Sequence, residues 1–156
     1  MAKVIYSWED IARLTRTLVV QLRGQRFDAL LAITRGGMIP GCLVSEWLDI
    51  RNVMTAAVMF YTAIETRMDV PRFLQFPSDA LLVDKRILIV DDVWDSGKTA
   101  VAVSERVRAA GGVPTVAVID FKPTANRFPG HRPDVFAQET DAWVVYPWEP
   151  AEEEAE

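Results

Sequence analysis

Two adjacent carboxylates, Asp91 and Asp92, end the apolar run Ile87-Leu88-Ile89-Val90 and lead into Val93-Trp94-Asp95-Ser96-Gly97-Lys98-Thr99. The run reads as a buried strand, so both acids stand at its carboxyl end, where open α/β sheets bind ligands. Neighbouring acids in such a place repel each other and lose hydration, and they need hydroxyl donors, a cation, or both. A ribose diol and a Mg²⁺ ion would supply those partners. Behind the acids, Asp95 to Thr99 sets small residues, hydroxyls and free backbone N–H groups at the start of a helix, which suits a phosphate. The helix dipole adds about 0.3–1 kcal/mol for an anion there. Directed hydrogen bonds, including those of Ser96 and Thr99, would supply most of the rest. Together these residues suggest a grip on a phosphorylated ribose.

Gly97-Lys98-Thr99 also matches the end of a nucleoside triphosphate loop, but that motif needs a glycine five residues before Gly97, where Asp92 stands. A plainer alternative is that the paired acids merely end a strand and Asp95 merely caps a helix. A second loop, Thr34-Arg35-Gly36-Gly37, also follows an apolar run. Its glycines permit close backbone approach, and Arg35 offers a fixed fork of donors to phosphate oxygens. A tight turn carrying a surface arginine is the plain alternative there.

The elements that must hold these loops can be read in order. Ser7-Trp8-Glu9-Asp10 resembles a capping box, and Ile11, Leu14, Leu18 and Leu22 share one helical face before Gly24. Asp28 to Ile33 predicts a strand and Ile39 to Leu48 a helix, with Pro40 in its first turn. Val53 to Phe60 predicts a second strand. Tyr61 to Leu82 shows no sustained periodicity and predicts a mobile loop. Arg86 to Val90 predicts a third strand, Asp91 to Thr99 a turn, and Ala100, Val103, Val107 and Ala110 one face of a helix stopped by Gly111-Gly112. Thr115 to Asp120 predicts a fourth strand. This alternation indicates an α/β fold with a mostly parallel central sheet and helices on both faces. Residues 121–150, rich in Pro and Gly with one more short strand near Trp143 to Tyr146, predict a small C-terminal cap or hood. Residues 1–150 therefore read as a single domain and 151–156 as an acidic, disordered tail.

The 156 residues suit one core, and half of them are hydrophobic while a quarter are charged, the balance of a soluble globular protein. No apolar run approaches the roughly eighteen residues that a membrane span needs. The N-terminus lacks the pattern of a secretory leader, so a cytoplasmic location is expected. Cys42 is the only cysteine, which excludes an intrachain disulfide or a cysteine-rich zinc site and suggests a small buried residue. A net charge of -5 provides no basic field to gather nucleic acid. His131, the only histidine, stands in a Pro/Gly-rich stretch and reads as a solvated loop residue.

The apolar strand, paired acids and Asp-Ser-Gly-Lys-Thr turn resemble the phosphoribosyl pyrophosphate signature of type I phosphoribosyltransferases, with Ser96 where the usual form has Thr. That resemblance implies that Asp91 and Asp92 face the ribose hydroxyls and Mg²⁺, and that Asp95, Ser96, Gly97, Lys98 and Thr99 cradle the 5′-phosphate. It implies that Asp95 is the catalytic proton acceptor. In purine-using members the loop at Arg35, Gly36 and Gly37 holds pyrophosphate, often with a cis peptide, expected here at Thr34-Arg35. Lys122-Pro123 and Asp141-Ala142-Trp143-Val144-Val145-Tyr146-Pro147-Trp148-Glu149 are similar to the base-binding end of bacterial xanthine-guanine and hypoxanthine phosphoribosyltransferases. By that similarity Trp143 stacks on the purine, Lys122 donates to its 6-oxo group, the Val144 backbone meets the ring edge, and Glu149 joins Asp91 and Asp92 at the metal. Without the resemblance, Trp143 and Trp148 would read as core aromatics and Lys122 as a surface cation.

The implied reaction transfers the phosphoribosyl group from phosphoribosyl pyrophosphate to an oxopurine, the choice among xanthine, guanine and hypoxanthine staying open. A lid is expected, because water would waste the activated sugar, and the segment from Tyr61 to Leu82 is long enough to serve. The resemblance also implies a homodimer or higher homo-oligomer. Two rivals remain: a regulator of the same fold that senses a phosphoribosyl nucleotide, and a phosphoribosyltransferase acting on a pyrimidine. A pocket in which Trp143 and Lys122 do not face each other would favour the latter.

Overall fold

In the computed structural model, which describes residues 2–151, the capping box at Ser7 is formed. The Ser7 hydroxyl accepts from the Asp10 amide at 3.1 Å while the Asp10 carboxylate accepts from the Ser7 amide at 2.8 Å. This starts α1 (Trp8–Leu22), whose Ile11, Leu14, Leu18 and Leu22 are buried as their spacing predicts. The remaining elements are β1 (Lys3–Ile5), β2 (Ala29–Ile33), α2 (Met38–Leu48), β3 (Val53–Thr62), β4 (Asp69–Gln75), β5 (Arg86–Trp94), α3 (Lys98–Ala109), β6 (Val113–Phe121), β7 (Val135–Glu139) and β8 (Trp143–Val145).

Six strands make one sheet in the order β4-β3-β2-β5-β6-β7, and every pairing is parallel except that of β3 with β4. Alternate residues of its central strands feed two cores, as a pleated sheet requires. Leu30, Ala32, Leu88, Val90 and Ile119 join α1 and Val44 of α2 on one face. Leu31, Ile33, Ile87, Ile89 and Val118 join Val103 and Val107 of α3 on the other. The expected mostly parallel sheet with helices on both faces is therefore the fold found. β1 and β8 form a separate parallel pair, with Val4 opposite Val144; this small sheet, the hood, takes one strand from the N-terminus, and of the cap expected over residues 121–150 the strand β7 instead extends the main sheet.

Four local expectations need correction. The segment from Tyr61 to Leu82 is not a loop throughout: Tyr61 and Thr62 finish β3, β4 returns antiparallel to it, and a 3-10 turn covers Asp79–Leu81. Most of β4 is exposed and only Val70 and Phe73 are part-buried, so no apolar alternation marks it. Pro71 is compatible with an edge strand, where its missing N–H costs no ladder bond. Second, β5 runs through both acids as far as Trp94, pairing Val93 with Asp120 and Trp94 with Phe121, so the turn begins only at Asp95. Third, β1 and β7 are strands that the pattern does not reveal, being short and at edges. Fourth, Cys42 is exposed, because α2 buries Pro40, Gly41, Val44 and Ser45 instead.

Among the described residues no helix is long and apolar enough to cross a membrane. Residues 152–156 of the predicted tail lie outside the described residues.

Leu88 is fully buried in the central strand and Leu74 is 61% exposed on β4. Leu88→Ala should lower unfolding free energy by about 2–5 kcal/mol, and Leu74→Ala should change it by less than about 0.5 kcal/mol, as read by urea denaturation.

Candidate active site

β2 and β5 lie side by side, yet the chain leaves them in opposite directions, from β2 through α2 to β3 and from β5 through α3 to β6. Such a switch point opens a crevice at the carboxyl ends of the two strands. The loop after β2 turns tightly, the Gly37 amide donating to the Ile33 carbonyl at 2.8 Å. A Cβ on Gly36 would come within 3.0 Å of both Asp92 carboxylate oxygens, and one on Gly37 within that distance of the Val90 and Ile33 carbonyls. Only glycine lets this backbone approach the acids so closely. The Thr34-Arg35 peptide is cis, as the resemblance implies, and Arg35 is exposed beside it.

Asp91 is buried and Asp92 half-buried. One Asp91 oxygen accepts from the Asp92 amide at 2.9 Å, and one Asp92 oxygen accepts from the Val93 amide at 2.8 Å. Burial first, and then the charge of Asp92, push the Asp91 carboxyl well above the usual carboxylate range. Burial likewise raises Asp92, and the nearby Glu149 charge adds to the rise. Among the described residues, however, no three His, Cys, Asp or Glu side chains gather as a metal site. Glu149, which the resemblance places third at the metal, lies near enough for its charge to act on Asp92 and accepts from the Tyr146 amide at 3.3 Å. The acid pair still fits a Mg²⁺ ion that completes its shell from water and substrate phosphate, since Mg²⁺ is usually held by one or two carboxylates.

The turn behind the acids starts α3 on Gly97, whose φ of 89° favours glycine. A side chain there would also collide with the indole of Trp94, which is buried and donates to Asn126 at 3.1 Å. Gly97 has no side chain to cap α3, and only the Ser96 hydroxyl reaches the first turn, 3.4 Å from the Lys98 amide, so the other first-turn amides stay available to an anion and Asp95 is not a helix cap. Residues 91–100 and Arg127 line one cavity of about 490 Å³. The backbone of Arg127 donates to the Ser96 carbonyl at 2.9 Å. Sequence reasoning missed this arginine, because nothing in its Pro/Gly-rich surroundings links it to the turn. The Lys98 ammonium points elsewhere, 3.5 Å from Asp69 and 4.8 Å from the Phe60 ring centre, both on the β3–β4 arm. A larger concavity of about 560 Å³ between α2 and β3 contains neither acid and none of the turn.

Beside the turn, the buried Lys122 ammonium sits 3.8 Å from the exposed Asp95 carboxylate and 5.8 Å from the ring centre of Trp143. Trp143 is 57% exposed and Val144 is buried. Lys122 and Trp143 thus face each other next to Asp95, and Trp143 is not a core aromatic.

A family model described as the phosphoribosyl transferase domain matches residues 1–154. The chain belongs to the phosphoribosyltransferase family. A curated xanthine-guanine phosphoribosyltransferase of Roseobacter denitrificans is 36% identical over 93% of this chain and 84% of its own. Another, from Cereibacter sphaeroides, is 37% identical over 93% and 86%. The crystal structure of a purine phosphoribosyltransferase from Pyrococcus horikoshii superposes with a TM-score of 0.82 at 33% identity, covering 97% of both chains. In this phosphoribosyltransferase the glycine loop abuts the acid pair, and the acids share one cavity with the start of α3.

The raised Asp91 carboxyl has a consequence for stability. A carboxyl raised in the folded state contributes stability below its unfolded value, about 3.9, and loses it as pH rises through the folded value. Without divalent cation, Asp91→Asn should therefore unfold at a higher temperature than the unsubstituted chain at pH 8. The difference should shrink toward pH 4. Equal melting temperatures across that range would contradict the burial argument.

Proposed function

We propose that this chain is a purine phosphoribosyltransferase, which moves the 5-phosphoribosyl group from phosphoribosyl pyrophosphate to an oxopurine and releases pyrophosphate. The observation that carries the reading is the Lys122–Trp143 pair facing each other beside Asp95 at the edge of the phosphate turn. An aromatic face holds any base, whereas a buried ammonium donates to an oxo group, so together they favour an oxopurine. The names of the curated relatives support the same class.

In the proposed reaction the bond from the anomeric carbon to pyrophosphate breaks and a bond to the purine's N9 forms. The amides and hydroxyls of Ser96, Gly97, Lys98 and Thr99 hold the 5′-phosphate, and Arg127 adds a charge on the same cavity. Asp91 and Asp92 accept from the ribose hydroxyls and hold Mg²⁺. When bound, that ion would neutralise charge on the leaving pyrophosphate. Arg35 and the Gly36-Gly37 amides take up the pyrophosphate itself. Asp95 is within reach of the Lys122 ammonium and so of a purine lying on Trp143, where it accepts the N7 proton as N9 attacks. The Val144 backbone meets the ring edge. The tip of the β3–β4 arm, residues 63–68, is the lid, tied to the turn through Asp69 and Lys98. We further take the chain to act in the cytoplasm as a homodimer or higher homo-oligomer, with no nucleic-acid or membrane partner.

The test is incubation with phosphoribosyl pyrophosphate, Mg²⁺ and xanthine, guanine or hypoxanthine in turn, identifying any mononucleotide by mass. No nucleotide from any purine would overturn the proposal, and product from a pyrimidine alone would favour that rival. Asp95→Asn should lower kcat by about 10²–10⁴-fold while phosphoribosyl pyrophosphate still binds. A nucleotide-sensing regulator would tolerate that change. Trp143→Ala should raise the KM of the purine roughly 5–150-fold, matching a stacking loss of about 1–3 kcal/mol.

A further inference from the structure

Asp120 is a fully buried carboxylate that the proposed reaction does not use. It lies on β6 opposite Val93 of β5 and two residues before Lys122. The Tyr6 hydroxyl donates to one of its oxygens and the Tyr146 hydroxyl to the other, each at 2.7 Å. Those tyrosines come from separate parts of the hood: Tyr6 directly follows β1, and Tyr146 directly follows β8, the strand that carries Trp143 and Val144. The Tyr6 amide also donates to the Val145 carbonyl at 3.0 Å, extending the pairing of those strands. Gln138 of β7 donates to the Tyr6 hydroxyl at 2.9 Å, and the Tyr146 hydroxyl lies 3.3 Å from the Asp92 carbonyl. Beyond it, Tyr146 stacks on Trp148 with ring centres 4.8 Å apart and planes 7° from parallel.

One side chain therefore bonds both strands of the hood to the end of the central sheet, next to the strand that bears the paired acids. Apolar packing alone could attach the hood, but burial is non-directional and tolerates sliding. A buried carboxylate is a poor source of stability, since its desolvation offsets much of what its partners return. What two directed bonds to one carboxylate do supply is a fixed distance and orientation.

We propose that Asp120, gripped by Tyr6 and Tyr146, is a positioning residue that sets the span between the purine site on the hood and the ribose-phosphate turn on β5. The inference rests on the enzyme reading above. With one hydroxyl removed, Asp120 stays buried and lacks a donor, and the hood loses one of its two anchors on the sheet. Trp143 and Val144 then drift relative to Asp95, while the phosphate turn, held by β5 and α3, keeps its place. Lys122, the cation near Asp120 on the same strand end, is also drawn toward the under-bonded carboxylate and away from the purine.

Removing Asp120 itself would strand two hydroxyls in the core, so the hydroxyls are the ones to remove. Steady-state kinetics of Tyr6→Phe and Tyr146→Phe, with each substrate varied in turn, should show the purine KM raised about tenfold or more, the scale of one lost hydrogen bond to a charged group. The KM of phosphoribosyl pyrophosphate should stay within about twofold in Tyr6→Phe, which is the deciding variant because the Tyr146 hydroxyl also lies at the Asp92 carbonyl. Quenching of tryptophan fluorescence on titration with purine should weaken in parallel. A purely structural role would instead reduce the folded fraction and leave both KM values in place. Unchanged purine KM in both variants, or equal rises for the two substrates in Tyr6→Phe, would overturn the inference while leaving the enzyme reading intact. Absence of nucleotide from the unsubstituted chain would overturn the enzyme reading, and this inference with it.

Discussion

Two carboxylates stand in succession at the end of a central strand, Asp91 buried and Asp92 half-buried. Burial and mutual repulsion raise both acids, so the fold must hold them there against their own preference for solvent. It does so by making them part of β5, whose preceding residues, Ile87 to Val90, are fully buried between two helical layers. Because β5 extends through the acids to Trp94, sheet pairing with β6 fixes their backbone. The glycine loop after β2 then closes over Asp92 at a distance that no other residue type allows.

Around that strained centre the fold divides its work between parts of different stiffness. The phosphate turn sits between a buried strand and a helix, with Trp94 filling the space beneath Gly97, and has little freedom to move. Trp143 and Val144 lie on a two-stranded sheet of three residues per strand, which is marginal by itself. Its position is set by contacts to the main sheet, among which the bonds to Asp120 are the shortest directed ones given above. The β3–β4 arm is the third part: long, paired along one edge, and in contact with the turn through the Lys98 side chain. A bimolecular displacement needs all three in register, since small errors in alignment between bound reactants are costly.

The central sheet, the capped first helix and the phosphate turn were legible in the sequence because each has a local cause. A capping box, a buried apolar run and a helix start on glycine all act within a few residues. What was not legible depends on distant partners. β4 has no fully buried side, so its pairing with β3 leaves no periodicity to read. Arg127 reaches the turn only because the cap folds back upon it. Tyr6, Asp120 and Tyr146 are separated by 114 and 26 residues in the chain, and each alone reads as an ordinary core or strand residue. Glu149 lies within its own turn, where its carboxylate accepts from the Tyr146 amide, and its nearness to Asp92 comes from the hood folding back on β5.

The same electrostatics that burden the crevice also explain how it would discriminate in favour of its ligand. A sugar diol and a divalent cation each relieve the repulsion of the acid pair, so part of their binding free energy is strain already present in the unliganded fold. By linkage, whatever binds only the folded state stabilises it in proportion to its occupancy. The Asp95–Lys122 contact behaves differently. Its carboxylate is largely exposed and its partners are 3.8 Å apart, so this ion pair contributes little to stability and can be exchanged at small cost. In the proposed reaction, a purine settling on Trp143 would take the Lys122 ammonium for its oxo group and leave Asp95 free to receive a proton. The proposed ribose side would then rest on a contact the protein cannot satisfy alone, and the proposed base side on one it can readily give up.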